Sequence, residues 1–105
     1  MIDWTRIAEL RDEIGVDDFD EVAELFLMEV EDTLSRLDST VDDPIQLHEL
    51  LHFLKGAALN LGFSDMSKMC ESGNNGAGIE LADLKSLYAE SRALFEREYG
   101  QRFAA

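Results

Sequence analysis

Residues Phe19 to Leu37 read FDEVAELFLMEVEDTLSRL, and their apolar positions decide the fold. Phe19, Val22, Phe26, Val30, Leu34 and Leu37 recur at intervals of three, four, four, four and three. A helix repeats every 3.6 residues and a strand every two, so this spacing lays six side chains along one helical stripe. No strand reading survives it. Asp17 and Asp18 stand where they can cap the start of this helix, and the polar run Ser39 to Asp43 closes it.

The same period extends outward in both directions. Upstream, about Asp3 to Ile14, the residues Trp4, Ile7, Ala8, Leu10 and Ile14 form one stripe that stops at Gly15. Downstream, Pro44 suits a first helical turn with Asp42 or Asp43 as its cap, opening a third helix to Leu61 or Gly62. Ser64 is placed to cap a short fourth helix carrying Met66, Met69 and Cys70, which Gly73, Gly76 and Gly78 should break or fray. A last helix, about Glu80 to Phe103, carries Leu81, Leu84, Leu87, Tyr88, Leu94, Phe95 and Tyr99. Short connections between long helices favour antiparallel neighbours. The expectation is an all-α chain: an antiparallel four-helix bundle with an additional short N-terminal helix, one domain over residues 1–105.

Composition narrows the partners. The chain has 105 residues, 23 acidic against nine basic, a formal net charge of −14, and 46% hydrophobic residues. That apolar share can offset the entropy of ordering, so the charge does not imply disorder. An isoelectric point near 4.2 sets the surface against nucleic-acid backbones and anionic membranes, leaving other proteins as partners. The single cysteine, Cys70, cannot form an internal disulfide, and with Asp3 at the third position no signal peptide or membrane span is expected. A cytoplasmic monomer is the expectation, although Ile45 and Leu59 could mediate self-association.

The third helix has two faces. With about 100° per residue and His52 at zero, Leu47, Leu50, Leu51, Leu54, Ala57, Ala58 and Leu61 fall within roughly 80° of the opposite side. His52 therefore points away from the core, with His48 one turn back and Lys55 and Gly56 one turn on. A lone surface histidine is ordinarily just solvated, an interior glycine can mark a close helix crossing, and a surface lysine needs no reason. Their conjunction does: glycine costs helix stability unless something must come close, and an ammonium beside an imidazole can neutralise an anion carried on it. Ile45 and Leu59 share this arc and could rim a docking surface. The combination describes an imidazole nucleophile with steric clearance and a nearby cation, suited to carrying a phosphoryl group.

Residues 48–52 also spell HELLH, which fits the H-E-x-x-H pattern of zinc hydrolases. Two histidines four apart can share one zinc ion with Glu49 as base. A third ligand would have to be Glu71 or Glu80, which nothing marks, and a small helical bundle offers neither the sheet edge nor the cleft that peptide hydrolysis needs. No metal ligand is assigned.

The run His52-Phe53-Leu54-Lys55-Gly56-Ala57-Ala58-Leu59-Asn60-Leu61-Gly62 resembles the H-x-L-K-G-(S/A)-(S/A)-x-x-L-G signature of histidine-containing phosphotransfer (HPt) domains. The resemblance implies a helical bundle with an exposed, mid-helix phosphoacceptor. It makes His52 that phosphoacceptor, Lys55 the charge-neutralising residue and Gly56 the residue giving a receiver domain clearance. In several such domains a glutamine on the following helix orients the histidine ring, and Asn74 falls near that place. Ile45, His48 and Leu59 would belong to the docking face. The implied partners are response regulator receiver domains and a hybrid histidine kinase. The magnesium and acidic pocket would belong to the receiver, so no cofactor is expected here. The acidic residues should then cluster away from the His52 face. Against this stands an acidic helical adaptor that binds receiver domains or other proteins without phosphotransfer, with the zinc-binding HELLH enzyme a distant third.

Overall fold

The computed structural model describes residues 2–40, 42–74 and 80–103. Five α-helices follow one another: α1 (Trp4–Ile14), α2 (Val16–Arg36), α3 (Pro44–Asn60), α4 (Ser64–Asn74) and α5 (Leu81–Phe103), with a 3-10 turn at Leu37–Thr40. Among the described residues the extended backbone amounts to one antiparallel bridge, Ile2 to Phe63.

The helix starts show how local chemistry sets the elements. Asp3 accepts a hydrogen bond from the Arg6 amide at 3.2 Å and caps α1. Asp43 does the same for α3 through the Gln46 amide at 3.1 Å, with Pro44 in the first position, where its missing N–H costs nothing. At α2 the expected caps are displaced. Gly15, at φ 107°, ends α1 and starts α2, and its carbonyl accepts from the amides of Asp18 and Phe19. Asp17 and Asp18 fall inside the first turn instead, where their charge favours the positive end of the helix.

Side chains from all five helices meet in one core. Ile7 and Leu10 come from α1, Phe19, Ala23, Leu27, Val30 and Leu34 from α2, and Leu50, Leu51, Leu54, Ala57 and Ala58 from α3. The α2 stripe is rotated slightly from the expected one: Ala23 and Leu27 are buried while Val22 and Phe26 are half-buried. Phe26 is thereby freed to line the surface beside α3. The turn after α2 is less polar than its sequence suggests, because Leu37 and Thr40 are fully buried and the Thr40 hydroxyl donates to the Leu37 carbonyl at 2.6 Å.

Packing runs in sequence, α2 on α3, α3 on α4, α4 on α5, with α1 against both α2 and α3. Side chains bring α5 back to α2, making a helical bundle. Phe19 stacks on Tyr99 with centroids 5.5 Å apart, and Phe95 stacks on both Tyr99 and Trp4. Glu31 on α2 accepts from Tyr88 and pairs with Arg92, both on α5. The α4 helix continues through Gly73 to Asn74 rather than breaking at the glycine; Gly76 and Gly78 lie outside the described residues. Among the described residues no helix is long and apolar enough to cross a membrane.

The C-terminus of α3 is fastened by backbone. Phe63 N–H bonds the Ala58 carbonyl and Gly62 N–H the Leu59 carbonyl, the paired closure that places a glycine in the left-handed region, here at φ 72°. The Gly62 carbonyl then accepts from the Asp3 amide at 2.6 Å, and a Cβ at Gly62 would lie 2.6 Å from the Asp3 oxygen. Only glycine fits there. The N-terminal segment and the end of α3 are consequently held together.

Candidate functional site

His52 is the ninth of the seventeen residues of α3, at mid-helix, with its side chain exposed. The opposite face supplies Leu50, Leu51, Leu54, Ala57 and Ala58 to the core, so burial on one side forces the imidazole out on the other. Phe26, Phe53, Gly56, Ala57 and Asn60 surround it in a shallow depression of about 290 Å³. Arg6 of α1 donates to the Asn60 side chain at 3.1 Å, bracing the far edge of that depression.

Gly56 lies one turn beyond His52, and a Cβ built there would meet nothing within 4 Å. Among the described residues no neighbouring helix crosses at this point. The glycine therefore does not serve internal packing, although it costs about 1 kcal/mol relative to alanine in a helix interior. Its space is open to the outside.

Lys55 is half-buried along α3, and its Nζ lies 3.7 Å from Oε1 of Glu71 on α4. Asn74 also reaches α3, but its amide donates to the His48 backbone carbonyl at 3.2 Å, one turn before His52. His48 is exposed and lines a second hollow of about 230 Å³ with Pro44, Leu47, Leu51, Gly73 and Asn74. Ile45 and Leu59 are exposed, at 75% and 50%. Among the described residues no three His, Cys, Asp or Glu side chains converge on one point, and Glu71 faces Lys55 rather than the histidine pair.

A larger groove of about 570 Å³ adjoins the histidine between α2 and α3. Leu25, Met28, Leu50 and Phe53 give it an apolar floor, with Glu29, Asp32 and Arg36 at its edges. Leu25, Met28 and Phe53 are exposed at 54%, 60% and 41%. Phe53 belongs to both the groove and the His52 depression, so the two form one continuous surface. Leu25 and Met28 were missed by the sequence reading. Their signal was the surplus of apolar residues on α2 beyond those one stripe needs. The expected segregation of acids also fails here, since Glu29, Asp32 and Glu71 reach the rim of this face.

The Hpt domain family model matches residues 21–94, a span that holds the mid-helix exposed histidine, the lysine at the next turn and the glycine facing open space. The chain belongs to the Hpt domain family. No curated protein and no solved structure matches it. The match runs from the first turns of α2 into the second half of α5, so this Hpt domain carries α1 outside the matched core. Hpt domains act in phosphotransfer within two-component systems, where they meet receiver domains and histidine kinases.

Proposed function

We propose that this Hpt domain carries a phosphoryl group on His52 between receiver-domain aspartates in a phosphorelay. The observation that carries the reading is the empty approach over Gly56 beside an exposed imidazole. A helix that gives up stability for unused space has that space for a visitor.

The chemistry follows from these residues. An imidazole nitrogen of His52 offers its lone pair to the phosphorus of an aspartyl phosphate. The new N–P bond forms as the P–O bond to the carboxylate breaks, and the bonding pair leaves on the carboxylate oxygen. The other ring nitrogen keeps its proton, so no base is required at the instant of attack. Running the steps backward passes the group to the next aspartate. Lys55, one turn on, lies where its ammonium can approach the dianionic group. Gly56 lets the receiver's active-site loops come near, and the Leu25–Met28–Phe53 surface provides apolar contact area. The acidic rim favours a receiver with basic residues around its active site. Magnesium and the acceptor aspartate belong to that receiver, and the chain acts as a cytoplasmic monomer.

Transfer from a radiolabelled phosphorylated receiver to wild type and to His52→Gln tests this. Acid-labile, alkali-stable label on wild type alone is expected, with His48→Gln retaining most of it. Label on His52→Gln would move the site elsewhere, and no label on either across several receivers would leave a docking module without transfer.

A further inference from the structure

Lys55 does not hang free beside His52. Its side chain is partly buried, and its ammonium turns to Glu71, sixteen residues on and on the neighbouring helix. The contact is single and long, 3.7 Å from Nζ to Oε1, and the carboxylate is 52% exposed. Such a pair is strong enough to bias where a flexible ammonium rests and weak enough to be given up. A phosphoryl group on His52 would place close to two negative charges one turn away, a stronger attractor than one carboxylate. Lysine has three donors on a rotatable stem, so it can swing between the two without any backbone movement.

Accordingly, and resting on the carrier role proposed above, we infer that Glu71 is a positioning residue for Lys55. It parks the ammonium on α4 while His52 is empty and competes with the phosphoryl group for it when His52 is loaded. Each phosphorylation of His52 must break the Lys55–Glu71 contact, and each transfer outward restores it. Glu71 thus weakens the hold on the phosphoryl group and tilts its partition toward the receiver. A carrier gains by this, because a group bound too firmly on the intermediate does not move on. An exposed pair of this type is worth a factor of about two to five in the equilibrium.

The test uses exchange of the phosphoryl group between N-phosphoimidazole and the intact domain. Free imidazole leaves as His52 is loaded, so an N–P bond is broken for each one made and the equilibrium ratio reports the surroundings of His52. Phosphorus NMR reads both species, with the His52 resonance assigned by its loss in His52→Gln. Wild type, Glu71→Gln, Lys55→Ala and the double variant are compared. Glu71→Gln is expected to raise the phosphohistidine ratio about two- to five-fold and Lys55→Ala to lower it, while in the Lys55→Ala background Glu71→Gln changes nothing. Unaltered partition in Glu71→Gln overturns the inference and leaves the carrier reading standing. An equal gain in both backgrounds also overturns it, because the carboxylate would then be repelling the phosphoryl group directly. Failure of wild type to take up phosphoryl from either phosphoimidazole or a receiver would sink the carrier reading itself. Thermal melts of the four proteins separate these outcomes from loss of fold.

Discussion

The Asn74 side-chain amide donates to the backbone carbonyl of His48 at 3.2 Å, so the end of α4 is tied to α3 one turn before His52. In a helix that carbonyl already receives the amide of the residue four further on, which is His52. Asn74 thereby supports the backbone under the histidine rather than its ring. Replacing it with alanine should cost about 0.5–1.5 kcal/mol of stability and leave transfer within a few-fold of wild type. Denaturant melts and single-turnover transfer check this; a loss of two orders of magnitude in transfer with an intact fold would show that the side chain serves the ring.

Gly56 offers an opposition between stability and activity. Alanine there meets no atom within 4 Å, so Gly56→Ala should stabilise the domain by about 0.5–1 kcal/mol through helix propensity alone. A longer side chain, as in Gly56→Gln, should keep much of that gain while lowering transfer from a receiver by about tenfold or more, equivalent to about 1.4 kcal/mol of lost approach. Thermal denaturation beside transfer kinetics would show the two quantities moving in opposite directions. Joint loss of both would mean that the space over Gly56 is not the approach route.

Phe53 is the aromatic residue shared by the His52 depression and the α2–α3 groove. Partly exposed aromatic rings at the centre of a contact surface carry a disproportionate share of binding energy. Phe53→Ala should weaken the affinity for a receiver by about 1–2 kcal/mol, five- to thirty-fold, while phosphorylation by a small-molecule donor such as phosphoramidate stays near wild type. Calorimetric titration with the receiver and phosphorus NMR with the small donor separate docking from chemistry.

Burial pushes the Cys70 thiol from 9.0 up to about 12. An acid whose folded pKa is raised leaves stability intact below its unfolded value and removes it as pH climbs through the interval above. Stability should therefore be flat to about pH 9 and then fall by about 1.4 kcal/mol per pH unit toward 12 from this group. Tyr88, held protonated by burial and then by its hydrogen bond to Glu31, adds a decline of the same sign at still higher pH. Urea melts at pH 8, 9 and 10 should show the fall in wild type and a shallower one in Cys70→Ala. The native thiol should also stay unreactive toward alkylating reagents at pH 8.

Helix content and the outward direction of His52 were legible because both follow from a period that a sequence displays. The cap of α3 was equally local, narrowed to Asp42 or Asp43, and Asp43 takes the role by accepting from the amide three residues on. The start of α2 was not. Gly15 and the aspartates after it both suit a cap, and the backbone angle of 107° that decides for glycine depends on how α1 meets α2. Of the expected α2 stripe, Phe26 packs only at the edge of the core and Val22 stays outside it, because Ala23 and Leu27 satisfy the same spacing and packing against α3 and α5 chooses between the two stripes. The partners of Lys55 and Asn74 lie across a helix interface. No spacing along one helix can announce them, since they depend on the register of α4 against α3.

The bridge from Ile2 and Asp3 to Phe63 and Gly62 bears on where this domain begins. Residues 21–94 carry the family resemblance, yet the turn that ends the His52 helix is held by residues eighteen or more positions ahead of that span. Cutting the chain to its recognisable core would strip Ile7, Leu10 and Phe19 from the interior and remove the Ile2 bridge to Phe63. It would also release Asn60 from Arg6 at the edge of the histidine depression. The natural unit for expression, fusion or transplantation into another signalling protein therefore starts before α1, and borders drawn by family likeness alone would cut through the clamp.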